Sequence, residues 1–273
     1  MDIQKPSAAH SQVIEEIVKL LNPELRILAI TGAGMSADSG LPTYRGVGGL
    51  YKTGETDQGM TIEQLLSGST FRSAPDLTWK YLGQIGKACD AAKFNRGHEL
   101  LAIMEQHFKD FCVLTQNIDG FHRDAGSKNL IEIHGNLHHL YCEACNSQKQ
   151  VDSFDSISIP PQCEQCGSLM RPKVVLFDEM LGADSVAHLS RQWKSGFDVV
   201  ISIGTTSVFP YIAEPVLHCH QTGKLSIEIN PTETQVSHQC TYRIPLPATI
   251  ALQEIWNRYA NPKQAGKPDV EKG

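Results

Sequence analysis

Five short runs constrain the fold more than any other feature of this chain: RILAI at 26–30, FCVLTQ at 111–116, NLIEIH at 129–134, DVVISIG at 198–204 and KLSIEIN at 224–230. Successive side chains of a strand point to opposite faces, so a run that stays apolar residue after residue needs cover on both sides. Most of these runs meet that condition, and helical patterns lie between several of them. Leu100, Leu101, Met104 and Phe108 repeat at helical spacing before the second run, PYIAEPVLHCHQTG follows the fourth, and Ile14, Ile17, Val18 and Leu21 precede the first. Strand and helix alternation predicts an α/β fold with a parallel sheet. Residues 46–96, rich in glycine at their start, and 140–172, with their cysteines, fit the alternation poorly and read as one smaller inserted module. The polar stretch 261–273 reads as a flexible tail.

Charge narrows the partners. With 24 Lys+Arg against 30 Asp+Glu the chain carries −6, leaving no excess of cations to neutralise phosphates, so no nucleic acid is expected as partner. The first twenty residues lack a basic segment leading into an apolar run, and no stretch approaches the eighteen or so apolar residues that cross a bilayer. The expectation is a cytoplasmic protein without membrane association. Its eight cysteines are then expected as thiols or metal ligands and not as disulfides.

Four of those cysteines form the most specific short pattern. Cys142, Cys145, Cys163 and Cys166 make two C-x-x-C pairs separated by 17 residues, the spacing of a four-thiolate zinc site. Four thiolates fill a tetrahedron and leave no position for water, which predicts a structural metal, with a redox pair as the lesser reading. Cys89, Cys112, Cys219 and Cys240 are scattered and read as small core residues.

The other chemistry collects at strand ends. GAGMSA at 32–37 matches G-x-G-x-x-A directly after the first strand, where Gly32 makes a tight turn and Gly34 admits a pyrophosphate to backbone N–H groups. Such glycines also occur in turns that bind nothing. The acidic ribose partner expected about 20 residues on is missing, and Glu228 or Asn230 is the substitute candidate. Gln116, Asn117 and Asp119 follow the second run, His134 and Asn136 the third, and Gly204, Thr205, Thr206 and Ser207 the fourth. Ligands of open α/β sheets bind outside the carboxyl ends of strands, so these groups converge on one edge.

Taken in order, GAGMSADSGLPTYRG, TQNIDGFHRDAG, IEIHGN, the paired C-x-x-C, RPKVVLFDE, GTTSVFP and INP resemble the sirtuin family of NAD-dependent protein lysine deacylases over roughly residues 25–255. The resemblance implies a Rossmann-like NAD-binding domain made of 1–45, 97–139 and 173–260, with 46–96 and 140–172 as the small zinc-bearing module. It implies that Gly32, Ala33, Gly34 and Ser36 hold the pyrophosphate, that Thr43, Tyr44 and Arg45 belong to a loop closing over the nicotinamide half, and that Gln116 and Asn117 contact its ribose. Ile118 and Asp119 would receive the carboxamide, while Gly204, Thr205, Thr206, Ser207 and Asn230 would serve the adenosine side. His134 would be the general base, with Asn117 beside it in the catalytic centre. Val175, Phe177 and Val208 would line the channel for an acetylated lysine of a protein substrate. The implied products are free lysine, nicotinamide and O-acyl-ADP-ribose.

Three features depart from the family or choose within it. Thr43 and Tyr44 stand where Asp and Phe are frequent, and Asp178 where Gly is usual, which suggests a preference for basic residues flanking the lysine. Relatives that remove acidic acyl groups carry Tyr-x-x-Arg in the segment around Trp79; Leu82 and Ile85 stand there here, so an apolar acyl pocket is expected. Mono-ADP-ribosyl transfer is the alternative activity, and a nucleotide-sensing module without turnover the alternative of another class.

Overall fold

The computed structural model describes residues 6–42 and 59–261. Helix α1 (Ala8–Leu20) opens under a capping box formed by Ser7 and His10 and leads into β1 (Arg26–Thr31). The short α2 (Ala33–Ala37) follows at once, and beyond the undescribed segment come α3 (Ile62–Leu65), α4 (Gly68–Ser73), α5 (Pro75–Ala91) and α6 (Arg96–His107). Then come β2 (Asp110–Thr115), α7 (Phe121–Asp124), β3 (Leu130–Glu132), β4 (Gly135–Cys142), β5 (Gln148–Gln150) and β6 (Met170–Val174). The chain continues through α8 (Ala183–Ser195), β7 (Val199–Ile203), α9 (Pro210–Thr222), β8 (Leu225–Ile229), β9 (Tyr242–Ile244) and α10 (Ala248–Ala260).

Six strands form one parallel sheet in the order β3-β2-β1-β7-β8-β9. Counted along the sheet's own strands this is 3-2-1-4-5-6, the order of doubly wound nucleotide-binding folds, and it reverses direction between β1 and β7. The five expected apolar runs are five of these strands. Alternation within β1 explains their apolarity: Ile27 and Ala29 face a core shared with α1, α6 and α10, whereas Leu28 and Ile30 face a second core containing Ile212, Val216 and Cys219 of α9. The sixth strand, β9, was not expected; at three residues it is too short to show a pattern.

A second sheet of three antiparallel strands, β5-β4-β6, carries the cysteines. A third core joins it to the helices after the undescribed segment, where Trp79, Leu82 and Cys89 of α5 pack with Leu137, Leu140 and Met170. The indole of Trp79 donates to the Met170 carbonyl at 3.0 Å, anchoring α5 on β6. The small sheet extends beyond the expected bounds of 140–172, because β4 and β6 pair as far as Gly135 with Val174. IEIHGN therefore runs from the edge strand of one sheet straight into a strand of the other, and His134 sits in the step between them.

Candidate active site and metal centre

The switch point is built by two glycine turns in mutual contact. Gly32 and Gly34, after β1, donate their N–H groups to the carbonyls of Ile203 and Gly204 at the end of β7, at 3.1 and 2.9 Å. Gly204 has φ of +58°, and a Cβ on Gly34 would lie 2.7 Å from the Gly204 Cα, so neither position accommodates a side chain. The Gly34 N–H bonds across the switch point, and the absence of a Cβ there is what leaves room for another backbone to approach closely.

A cleft of about 750 Å³ opens beside these turns. Gly32, Ala33, Gly34, Gln116, Asn117, Ile118, His134, Gly204, Thr205, Thr206 and Asn230 line it, together with Val175 and Phe177 from the segment after β6 and Val208 from the segment after β7. Ser36, Asp119 and Ser207 stand behind its wall, each 6% exposed or less. Thr43, Tyr44 and Arg45 lie outside the described residues.

The wall residues are cross-linked. Ser36 donates to Asp119 Oδ2 at 2.7 Å and accepts from Asn117 Nδ2 at 3.1 Å, while Asn117 Nδ2 also reaches the Gly32 carbonyl at 3.0 Å. Asp119 Oδ1 accepts from the Phe121 N–H at 3.0 Å, and burial raises its pKa above the ordinary carboxylate value. Gln116 Nε2 donates to Thr205 Oγ1 at 2.8 Å, and Asn230 Nδ2 to the Thr205 carbonyl at 3.0 Å. Glu228, the other ribose candidate, faces away: its buried carboxylate accepts from Ser237 at 2.6 Å and from Thr234, and pairs with Arg243 at 3.2 Å. Position 228 is thus a structural ion pair, and Asn230 alone of the two reaches the cleft.

His134 is fixed at both ring nitrogens. Nδ1 lies 2.9 Å from the Gln116 carbonyl and Nε2 lies 2.7 Å from the Tyr211 hydroxyl. Burial lowers its pKa below the ordinary imidazole value, with the Gln116 carbonyl acting in the other direction. Tyr211 was not among the expected site residues. Its signal in sequence is faint: an aromatic near the start of a helix that follows a strand-end turn.

Away from the glycine turns the lining is largely apolar: Leu66, Leu82, Val174, Leu176 and Phe177 line it together with Glu63, Asp178 and Glu179, and no Lys or Arg does so among the described residues. Leu82 and Ile85 both pack in the third core, and of the two Leu82 also lines the cleft. Asp178, with φ of +68°, accepts from the N–H groups of Gly68 and Ser69 at 2.9 and 3.2 Å, and the Ser69 side chain, followed by these N–H groups, holds its pKa below the usual range. Its charge is turned onto the first turn of α4, which weakens the expected attraction for basic flanking residues.

The four cysteines close a second centre. Their Sγ atoms all lie within 4.8 Å of one another, with Cys142–Cys166 at 3.5 Å and Cys145–Cys163 at 3.6 Å. A disulfide needs about 2.05 Å, whereas the edge of a tetrahedron of sulfurs around zinc is roughly 3.8 Å for a Zn–S bond of about 2.3 Å. The two pairs are built alike: Asn146 and Gly167 donate to the Cys142 and Cys163 carbonyls at 2.9 and 2.8 Å, each with positive φ. The donor set fits zinc, and its place at the end of the small sheet, away from the cleft lining, fits a structural ion.

A parallel sheet with strand order 3-2-1-4-5-6, a cleft at its switch point and a four-thiolate module define a dinucleotide-binding α/β protein with a structural metal site. Sequence comparison narrows the class: residues 32–210 match the model of the Sir2 family, and the chain belongs to that family. It is 50% identical over 245 residues to "NAD-dependent protein deacylase 2" of Pseudomonas aeruginosa, covering 89% of this chain and 95% of that one. It is 35% identical over 241 residues to "NAD-dependent protein deacylase 1" of Archaeoglobus fulgidus, covering 88% and 96%. Among solved structures, a Sir2 homolog in complex with NAD superposes with a TM-score of 0.78 at 33% identity, covering 96% of this chain and 98% of that one. A Sir2 with a p53 peptide and NAD+ gives 0.77 at 28% identity, covering 90% and 98%.

Proposed function

We propose that this protein is an NAD-dependent protein lysine deacetylase in which His134 is the general base. The observation that carries the reading is the ring geometry of His134: with Nδ1 held on a backbone carbonyl, the Nε2 lone pair is turned to the Tyr211 hydroxyl in the lining of the cleft that the glycine turns share. When bound, NAD supplies the acyl acceptor, its ADP-ribose portion, and a leaving group, nicotinamide.

The chain's own residues divide the remaining work. Nε2 takes the proton from the accepting hydroxyl, and burial keeps the ring neutral near pH 7 so that it can do so. Asn117, tied to Gly32 and Ser36, and Gln116, tied to Thr205, keep two carboxamides at fixed positions along the cofactor. The backbone of Ala33 and the side chains of Thr206 and Asn230 offer small polar edges to the nucleotide. Buried Ser207 Oγ, without a hydrogen-bond partner, sits under the same wall, and a dinucleotide fits the volume of the cleft. Thr43, Tyr44 and Arg45 belong to this assignment by resemblance alone.

Leu66, Leu82, Ile118 and Phe177 exclude water from the reacting centre and give the acyl group an apolar wall. Val175 and Val208 flank the entry of the lysine chain. Zinc at the four cysteines holds the small sheet. The division into a nucleotide unit and a zinc unit belongs to the proposal and is supported by the separate core of the second sheet. A cytoplasmic setting accords with eight cysteines outside disulfides, four of them assigned to zinc; among the described residues no helix is long and apolar enough to cross a membrane. Incubation with NAD and an acetyl-lysine peptide, followed by mass spectrometry of all products, tests the reading. Expected are deacetylated peptide, nicotinamide and O-acetyl-ADP-ribose; ADP-ribosylated peptide in their place overturns it.

A further inference from the structure

We propose that Tyr211 is the positioning residue of the base: its hydroxyl holds His134 Nε2 as an aimed lone pair, and exchanges that place with the substrate hydroxyl that gives up its proton. The proposal rests on the reading of His134 as general base, and it begins from which atoms can donate. A backbone carbonyl only accepts, so the 2.9 Å contact with Gln116 puts the ring proton on Nδ1. The neutral ring then has its lone pair on Nε2, and the oxygen 2.7 Å away must donate to it. A tyrosine can do this because its phenol keeps its proton, and burial pushes Tyr211 up to about 12.

The hydroxyl is held as firmly as the imidazole. Tyr211 is the second residue of α9, after Pro210, and its ring stacks on Phe209 at 5.5 Å and 12°. Phe209 in turn meets the His134 ring edge to face at 5.7 Å and 79°, so three rings fix one another. The other contacts of His134 are polar but uncharged: the Gln116 carbonyl from the end of β2, and the Val175 N–H, which donates to the His134 carbonyl at 2.8 Å beyond β6. No carboxylate or cation hydrogen-bonds the ring, so Tyr211 is the one side chain hydrogen-bonded to Nε2 among the described residues.

Two consequences separate this role from simple packing. A hydrogen bond donated into the Nε2 lone pair opposes its protonation, so losing the bond raises the pKa of His134. A phenol in the place of the incoming hydroxyl competes with it, so losing the bond does not weaken cofactor binding even as the ring loses its aim. Tyr211→Phe removes only the oxygen. The measurements are nitrogen-15 NMR of the His134 imidazole in the ligand-free protein, assigned with His134→Gln, and kcat and KM for NAD across pH.

Expected are an Nδ1–H tautomer in the wild type, a His134 midpoint raised by roughly half to one pH unit in Tyr211→Phe, an acid limb of kcat/KM moved the same way, and a lower kcat with no rise in KM. An Nε2–H tautomer in the wild type, or a midpoint and acid limb unmoved by the substitution, overturns the proposal. The tautomer is read in the wild type alone, so it decides the matter even where the variant folds poorly. If the wild type fails to deacylate the peptide, the reading of the site fails, while the NMR result still decides what Tyr211 does.

Discussion

His98 and His122 meet in the interior with ring centroids 4.7 Å apart, and lowering the pH from 7 to 5 tests how tightly that interior excludes charge. His98 is fully buried; its Nδ1 accepts from the Asn95 N–H at 3.2 Å and its Nε2 has no partner. His122 Nε2 meets Thr31 Oγ1 at 2.9 Å and its Nδ1 has no partner. Burial pushes His98 down to about 4, and burial together with its neighbour His98 holds His122 well below the ordinary value. The sign follows from which state takes up protons. With folded values below the unfolded value of about 6.5, the unfolded chain protonates first, so stability is complete above pH 6.5 and declines as pH falls from there toward 4.

At pH 5 the His98 imidazole is almost fully protonated in the unfolded chain and almost fully neutral in the folded one, a difference that favours unfolding by roughly 2 kcal/mol. His122 acts in the same direction. Asp119, whose folded pKa is raised, works in the opposite direction by regaining stability as it protonates. The assay is therefore a difference of differences: urea unfolding at pH 7 and pH 5 for the wild type and for His98→Gln. The variant should lose about 2 kcal/mol less than the wild type over this range. Equal losses, or a folded-state His98 C2 proton titrating near pH 6.5, would refute the reasoning.

Other perturbations probe the two centres. The double substitution Cys163→Ala, Cys166→Ala should abolish the bound zinc, measured as metal per chain, and melt the small sheet, because structural zinc contributes apparent binding energies of roughly 10–16 kcal/mol. His134→Ala should cut peptide deacetylation about 10²–10⁴-fold at saturating NAD with the melting temperature little changed; activity within threefold, on the same scale, removes the base assignment. Comparison of kcat/KM for acetyl-, butyryl- and succinyl-lysine versions of one peptide should show succinyl disfavoured by at least roughly tenfold, since the apolar wall of Leu66, Leu82 and Phe177 offers no cation among the described residues. Gly204→Ala places a Cβ 2.6 Å from the Met35 nitrogen at a positive φ, and should cost roughly 2–5 kcal/mol in denaturant unfolding along with NAD affinity.

What the sequence disclosed follows from how locally each feature is encoded. β1, β2, β7 and β8 are legible because burial on both faces leaves an unbroken apolar run. The strands of the small sheet are not: β4 interleaves histidines and a cysteine with its leucines, its register shifts between Asn136 and Leu140, and β5 is QKQ. The strand-end polar groups were legible as a set because the fold rule names the edge on which they gather. Individual uses were not, since they depend on partners distant in the chain. Gly34 bonds to Gly204, Glu228 turns to Arg243, and Asp178 caps the turn that begins at Gly68. Tyr211 is the sharpest case, because the atom that gives it meaning belongs to a residue 77 positions earlier.

The central pairing of β1 with β7 also bears on how the chain is made. Arg26 and Asp198, bonded at the foot of these two strands, lie 172 residues apart. β2 can cover one edge of β1 once residue 115 has been synthesised, but the other edge keeps its backbone groups unpaired until β7 leaves the ribosome. At about 5–20 residues per second that interval is roughly ten to thirty seconds. Throughout it a nascent chain presents an apolar strand with an open edge, the form most prone to pairing with a neighbour. The zinc-bearing sheet and its helices are complete by residue 174, before β7 exists. The three-stranded sheet thus finishes early, and the six-stranded sheet closes last.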